Sequence, residues 1–407
     1  MIRARYAVYA IFCLGLAACA QGDDGRNGGI HAGFPPVRGE KSIDETSIMP
    51  GYRPELETME GGIWSQVEKL EEATKTSGKR VTDENLNAYI SKIVCDLAGT
   101  YCPDIRLYII ENPTFNASMF PNGMMHVNTG FLLRIQSEAQ MAAVFGHEIG
   151  HYLKRHSLKR TQDKHVKANA FVFVQIGFAL VNAAPLGDLI RLALQGSISA
   201  YSRDQEREAD SIGLDLMVKE GYSPGAAPEI WENLFEEGSK ASKGLNYLFF
   251  GSHPLPRERI ESLRRQAEAM DLPVKQRIGE TTFLEMIAPF REGWFQQQLS
   301  QESFKESKVV LKNMAPSPLY PGELHFLRGE LIRREREKDF VPRAIEYYQK
   351  AIEMDPDDSR PYKAIGLLLM KTKQKERART NFHSYLSHAP QAVDRGVIEQ
   401  YLKELDK

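Results

Sequence analysis

Apolar side chains recur every three or four positions over residues 56–74 and again over 82–98, with Thr82 or Asp83 placed to cap the second run. Two amphipathic helices are predicted. The period then changes: 104–111 (DIRLYIIE) and 124–129 (MMHVNT), set off by Asn112-Pro113 and Pro121-Asn122-Gly123, read as strands of a small sheet joined by a turn-rich loop. Ser137 or Glu138 opens a helix whose apolar stripe is Met141, Val144, Phe145 and Ile149. The stretch 166–198 is strongly apolar, but Gln175, Asn182, Pro185, Asp188 and Arg191 interrupt it, which argues against a plain membrane span. A pair of buried or groove-covering helices fits it, as does a lid or membrane-dipping hairpin. Helices are expected again over 201–219, from Ser223-Pro224 to about 237, and over 257–270.

The character changes in the last third. Pro356 and Pro390, Ala344 and Ala378, and Tyr348 and Phe382 are each 34 residues apart, the period of a tetratricopeptide (TPR) helix pair. Gly329 and Gly366 correspond at 37 residues if three are inserted in the turn at 334–338. Two repeats are predicted, with a degenerate third pair over 290–316 and a capping helix over 393–405.

A chain of 407 residues, 42% hydrophobic, can bury a large core without a disulfide scaffold, and a net charge of −2 offers no electrostatic footprint for nucleic acid. A nucleic-acid partner is unsupported on that ground. Arg3 and Arg5, an apolar run over 6–18, and Leu16-Ala17-Ala18-Cys19 read as an export signal resembling the bacterial lipobox. Cleavage before Cys19 and its lipidation would anchor the chain, and Ala20 after it suits an outer-membrane lipoprotein facing the periplasm. An ordinary signal peptide is the alternative. Residues 21–53, rich in Gly, Asp, Asn and Pro without apolar period, suit a flexible tether. In an oxidising compartment Cys95 and Cys102, seven residues apart, are candidates for a local disulfide, with two reduced buried thiols as the alternative.

Candidate chemistry lies in His147-Glu148-Ile149-Gly150-His151. On a helix the two imidazoles, at i and i+4, share a face and can ligate one Zn²⁺, while Glu148 stands beside them as a general base. A third ligand is needed. Lys154 and Ser157 occupy the positions where a metzincin would carry Gly and His, which excludes that class. The later run Ser202–Asp210 offers Glu206, with Asp210 on the same helical face to accept the spare N–H of a ligating His; Glu208 competes from the other side. His126 and His156 read as structural or surface residues.

Together, HEIGH, ExEAD, Asn116-Ala117 and Pro121-Asn122-Gly123 resemble the HtpX-like and BepA-like peptidases related to CAAX prenyl endopeptidases, and with the export signal and repeats the chain resembles the BepA-like branch. The resemblance implies a mainly α fold with a small β-sheet: a zincin-type metallopeptidase domain at 54–270, after a signal at 1–18 and a lipid-anchored tether at 19–53, followed by an α-helical TPR solenoid at 284–407. It implies one Zn²⁺ per chain held by His147, His151 and Glu206, with Glu148 as base. Implied too is quality control of outer-membrane proteins: unfolded or misassembled envelope polypeptides as substrates, and the outer-membrane β-barrel assembly machinery as a partner through the repeats. His253, in Gly251-Ser252-His253-Pro254, matches a family position and could keep the metal latent or stabilise the oxyanion; a loop His packed by prolines is the plain alternative. Where the family commonly has Pro-Gly-Gly this chain has Asn122, a residue that tolerates left-handed backbone.

Overall fold

A computed structural model describes residues 48–162, 200–240, 252–254, 257–270, 272 and 276–406, which all belong to one compact unit, Ile43–Lys407. The export signal, Cys19, the tether up to residue 47 and the apolar stretch 166–198 lie outside the described residues. The first half runs α1 (Met59–Lys75), α2 (Glu84–Ala98), a 3-10 turn (Gly99–Asp104), β1 (Arg106–Ile110), β2 (Ala117–Met119), β3 (Met124–Asn128), α3 (Thr129–Arg134), α4 (Glu138–Leu153) and α5 (His156–Gln162). Next come α6 (Arg203–Lys219), α7 (Ala226–Lys240) and α8 (Arg257–Ala269). The C-terminal region is α9 (Glu280–Leu299), α10 (Phe304–Asn313), α11 (Glu323–Glu335), α12 (Phe340–Met354), α13 (Ser359–Lys371), α14 (Lys375–His388) and α15 (Arg395–Leu405).

Side-chain caps set several helix starts. Thr58, Asp83, Ser137 and Ser202 each accept a first-turn N–H, and Ser202 with Gln205 completes a capping box at the head of α6. Cys95 near the end of α2 is disulfide-bonded to Cys102 in the following turn, with their Cα atoms 4.6 Å apart.

The sheet departs from the two-strand expectation. Its order is β1-β3-β2, with β1 parallel to β3, and β2, an unpredicted strand of three residues, antiparallel to β3. The Pro121-Asn122-Gly123 turn therefore joins β2 to β3. Its left-handed residue is Gly123 (φ +85°), where a Cβ would fall 2.0 Å from the Asp104 carbonyl oxygen. Asn122 does not take up the left-handed backbone that its residue type allows. Its side chain instead donates to Glu71 (2.8 Å) and accepts from Met124 N (3.0 Å), tying α1 to the central strand.

At the centre of the molecule is α4. Its sequence suggests one apolar stripe, yet every residue from Glu138 to Tyr152 is buried, because α2, α6, α7 and β2 surround it. The crossing with α6 is unusually close: a Cβ on Gly146 would lie 2.9 Å from Gly213 O, one on Gly150 3.0 Å from Ala209 O, and one on Gly213 2.8 Å from His147 N. Small residues four apart on both helices let the backbones touch.

Arg134, at the end of α3, binds the two halves. Its buried guanidinium donates to Glu237 of α7 (2.9 and 3.0 Å), Gln298 of α9 (2.8 Å) and Glu306 of α10 (3.1 Å). Beyond it the helix pairs repeat one contact: Gly329 of α11 faces the Tyr348 ring of α12, and Gly366 of α13 faces the Phe382 ring of α14, where a Cβ would fall 2.4 and 2.6 Å from the rings. The expected degenerate pair at 290–316 is longer than its sequence suggested, since α9 begins at Glu280 and carries Pro289 inside it.

Two outcomes follow. Gly213→Ala forces backbone against backbone at the α4–α6 crossing, so it should cost about 1–3 kcal/mol in urea denaturation and lower the metal content of the purified protein. His126 on β3 is fully buried, and burial pushes its pKa down to about 4. The unfolded chain then binds the extra proton first, so stability should fall as pH drops from about 6.5 to about 4, by roughly 3 kcal/mol, and urea midpoints of His126→Gln should lose most of that dependence.

Candidate metal centre

One helical turn of α4 presents His147 and His151, and the close crossing brings the first turns of α6 over them, carrying Glu206 and Asp210. The segment 252–254 delivers His253: Tyr201 N–H donates to Ser252 O (3.0 Å), and Arg259 of α8 donates to Pro254 O (3.2 Å). His147, His151, Glu206 and His253, each at most 4% exposed, offer ligand atoms that all lie within 4.8 Å of one another. His147 Nε2 is 3.0 Å from His151 Nε2 and 3.3 Å from His253 Nδ1, and Glu206 Oε1 is 3.0 Å from His253 Nδ1 and 3.4 Å from His151 Nε2.

The surrounding hydrogen bonds decide which imidazole atoms face this centre. Asp210 Oδ1 lies 2.9 Å from His147 Nδ1, and Arg259 grips the same carboxylate through Nε (2.6 Å) and Nη2 (2.8 Å). A carboxylate ion only accepts, so the proton of neutral His147 sits on Nδ1. On the other ligand, His151 Nδ1 is 2.9 Å from His156 Nδ1, and His156 Nε2 is 3.1 Å from Glu208 Oε2. The same logic puts a proton on His156 Nε2 and on His151 Nδ1. Both Nε2 atoms of the pair are then bare, with lone pairs facing at 3.0 Å beside a carboxylate. A cation resolves that arrangement, and two imidazoles with a carboxylate are the donor set of a transition-metal site. The residues fit a metal ion.

Electrostatics sharpen the picture. Burial would raise Glu206, but His253, His151 and Arg259 outweigh it and hold the carboxyl well below its usual range. Asp210 is likewise lowered against its burial by Arg259 and His147, while burial drives His151 well below the ordinary imidazole value. Glu148 goes the other way: burial raises it, only partly offset by His253 and His147. Met119 N–H of β2 donates to its Oε2 (3.2 Å), and its buried Oε1, which has no hydrogen-bond partner among the described residues, stands 3.6 Å from His253 Nε2.

The centre thus gathers Glu148, His147, His151, Glu206, Asp210 and His253, while the Cys95–Cys102 pair lies outside it. Glu208 does not join the ligand cluster and meets His156 and Lys154 instead. Four residues near the centre were given no part in it from sequence. Arg259 ion-pairs with both Glu206 and Asp210, and Trp231 lies under its guanidinium at 5.2 Å. Tyr201 stacks on His151 at 4.0 Å. His156, read as structural or surface, is 1% exposed and touches a ligand. The sequence signal for the crossing was the small-residue spacing of Gly146 with Gly150 and Ala209 with Gly213.

Comparison with known proteins agrees with this geometry. Residues 81–267 match the model of Peptidase family M48. The chain is similar to a beta-barrel assembly-enhancing protease of Vibrio cholerae (30% identical over 197 residues, 46% of this chain and 40% of the relative). It is also similar to the beta-barrel assembly-enhancing protease of Escherichia coli (28% over 204 residues, 48% and 41%) and to the mitochondrial metalloendopeptidase OMA1 of Schizosaccharomyces pombe (32% over 182 residues, 43% and 51%). The chain thus spans about half or less of the length of these relatives. Residues 81–267, which carry the whole ligand cluster, are a metallopeptidase domain of Peptidase family M48.

Proposed function

We propose that this protein is a zinc-dependent endopeptidase of the bacterial envelope that cleaves misfolded or stalled outer-membrane proteins. The observation that carries the reading is the buried His147, His151 and Glu206 cluster with Glu148 beside it, whose Oε1 has no hydrogen-bond partner among the described residues. His147, His151 and Glu206 would hold one zinc ion. When bound, zinc supplies Lewis acidity and brings the pKa of water towards neutrality.

The chain's own groups do the rest. Glu148, with Oε2 held by Met119 N–H and its pKa raised by burial, takes a proton from the attacking water at Oε1 and later delivers it to the leaving amine. Strand β2 is the sheet edge beside α4, so an extended substrate adding to it as a further strand would cross Glu148. That requirement favours unfolded polypeptides, including unassembled β-barrel segments. The names of the bacterial relatives, which refer to β-barrel assembly, and the export signal with Cys19 as lipid anchor support a site of action at the outer membrane, facing the periplasm. The C-terminal helix pairs, read as TPR repeats, serve to select substrates or dock on the barrel-assembly machinery.

His253 favours a second reading for part of the molecule's time. Lying 3.0 Å from Glu206 and 3.3 Å from His147, it takes up room that substrate and water need, so the enzyme rests latent and acts through its helical repeats as a chaperone or scaffold.

Three full-length proteins, wild type, Glu148→Gln and His253→Ala, separate these readings by zinc content and by cleavage of an unfolded outer-membrane protein. Glu148→Gln should keep zinc and lose about 10²–10⁴-fold in rate, and cleavage at the wild-type rate would remove the hydrolytic reading. His253→Ala should keep zinc and cleave faster than wild type. A slower His253→Ala assigns the imidazole to catalysis instead of latency.

A further inference from the structure

His156 is buried, has no part in the hydrolytic scheme and lies against a metal ligand. Its position is built by an uncommon backbone. Helix α4 ends at Leu153, and Arg155 adopts a left-handed conformation (φ +56°), a state that non-glycine residues enter at a cost. The Arg155 side chain ion-pairs with Glu60 and covers the Tyr52 ring at 5.1 Å, while its carbonyl accepts from Leu158 N and Lys159 N. The chain is thereby reversed within two residues, and His156 folds back under His151 with ring centroids 4.9 Å apart.

Each ligating imidazole then has an acceptor behind it, and each chain of partners ends on a cation. For His147 the acceptor is Asp210 and the cation Arg259. For His151 the acceptor is His156, which donates to Glu208, whose other oxygen is 2.9 Å from Lys154 Nζ. We propose that His156 is a positioning residue for His151: it accepts the Nδ1–H of that ligand, with Glu208 fixing the acceptor tautomer, so that His151 Nε2 faces the metal bare and in one orientation. Tyr201, stacked on the His151 ring, completes the clamp. The inference rests on the metallopeptidase reading and extends it to residues outside the ligand set. It also gives Glu208 a role: too far round α6 to ligate, it orients the imidazole that orients a ligand.

The test uses full-length protein and two readouts besides hydrolysis: zinc affinity by chelator competition, and the visible absorption of the cobalt-substituted form. His156→Leu should bind zinc about 10–100-fold more weakly and shift the cobalt spectrum. His156→Asn, whose side-chain oxygen can accept from His151, should recover most of both. Glu208 is at the surface, its side chain 43% exposed, so Glu208→Ala should fold normally and, with no oxygen left to accept from His156 Nε2–H, lose affinity in the same direction by a smaller amount. The proposal is overturned if His156→Leu matches wild type in affinity and spectrum, or if His156→Asn is no better than His156→Leu. Should His156→Leu fail to fold, Glu208→Ala decides, and an unchanged affinity and spectrum there overturn it. A wild type without zinc overturns the metallopeptidase reading as well; a zinc-bound wild type with an unaltered His156→Leu overturns this proposal alone.

Discussion

The contact of α4 with α6 through Gly146, Gly150, Ala209 and Gly213 sets the distance between the imidazoles of α4 and the carboxylates of α6 at the metal centre. Packed helices ordinarily keep their axes about 8–10 Å apart, with side chains filling the space between. Here the spacing is backbone on backbone, and a short glutamate arm on α6 reaches two imidazoles on α4. The same closeness lets Asp210, one turn after Glu206, reach the far nitrogen of His147. A ligand and the group that orients another ligand thus come from a single helix turn, and neither would arrive if the crossing opened by the width of a methyl group.

Such closeness gathers charge in a place water does not reach. Glu148, Glu206, Asp210 and Arg259 are each at most 6% exposed. Buried charges are tolerated only when they are paired and hydrogen-bonded, and Arg259 meets that need for two of the carboxylates at once. Glu148 is left less compensated than its neighbours. Its raised pKa is the physical result. The difference among three acidic groups within one centre therefore follows which of them the arginine pairs with.

The C-terminal helices are not hung on a loose linker. Arg134, within the same buried network as Glu237, Gln298 and Glu306, joins the helix after the sheet to α7, α9 and α10. Removing one partner would strand charge in the interior, so the helical array and the peptidase domain hold a fixed relation at this junction.

The sequence alone determined what depends on local period and residue chemistry. The 3.6-residue spacing of apolar positions located α1, α2 and α4, the caps marked the starts of α2 and α4, and the i, i+4 placement of His147 with His151 and of Glu206 with Asp210 announced one centre carried on two helices. Phase also showed the recurrence of Tyr348 and Phe382 at 34 residues and of Gly329 and Gly366 at 37, which reappears as the Gly329–Tyr348 and Gly366–Phe382 contacts. Only the tertiary structure decided the rest. The three residues of β2 are too few for a period, and their strand exists because β3 offers an edge; Arg259 and His156 are an ordinary arginine and an ordinary histidine until the fold brings them 49 and 5 residues along the chain to Asp210 and His151. Local pattern fixes which face a side chain takes on its own helix, whereas the choice between ligand, acceptor and bystander depends on distances set by how closely separate helices pack.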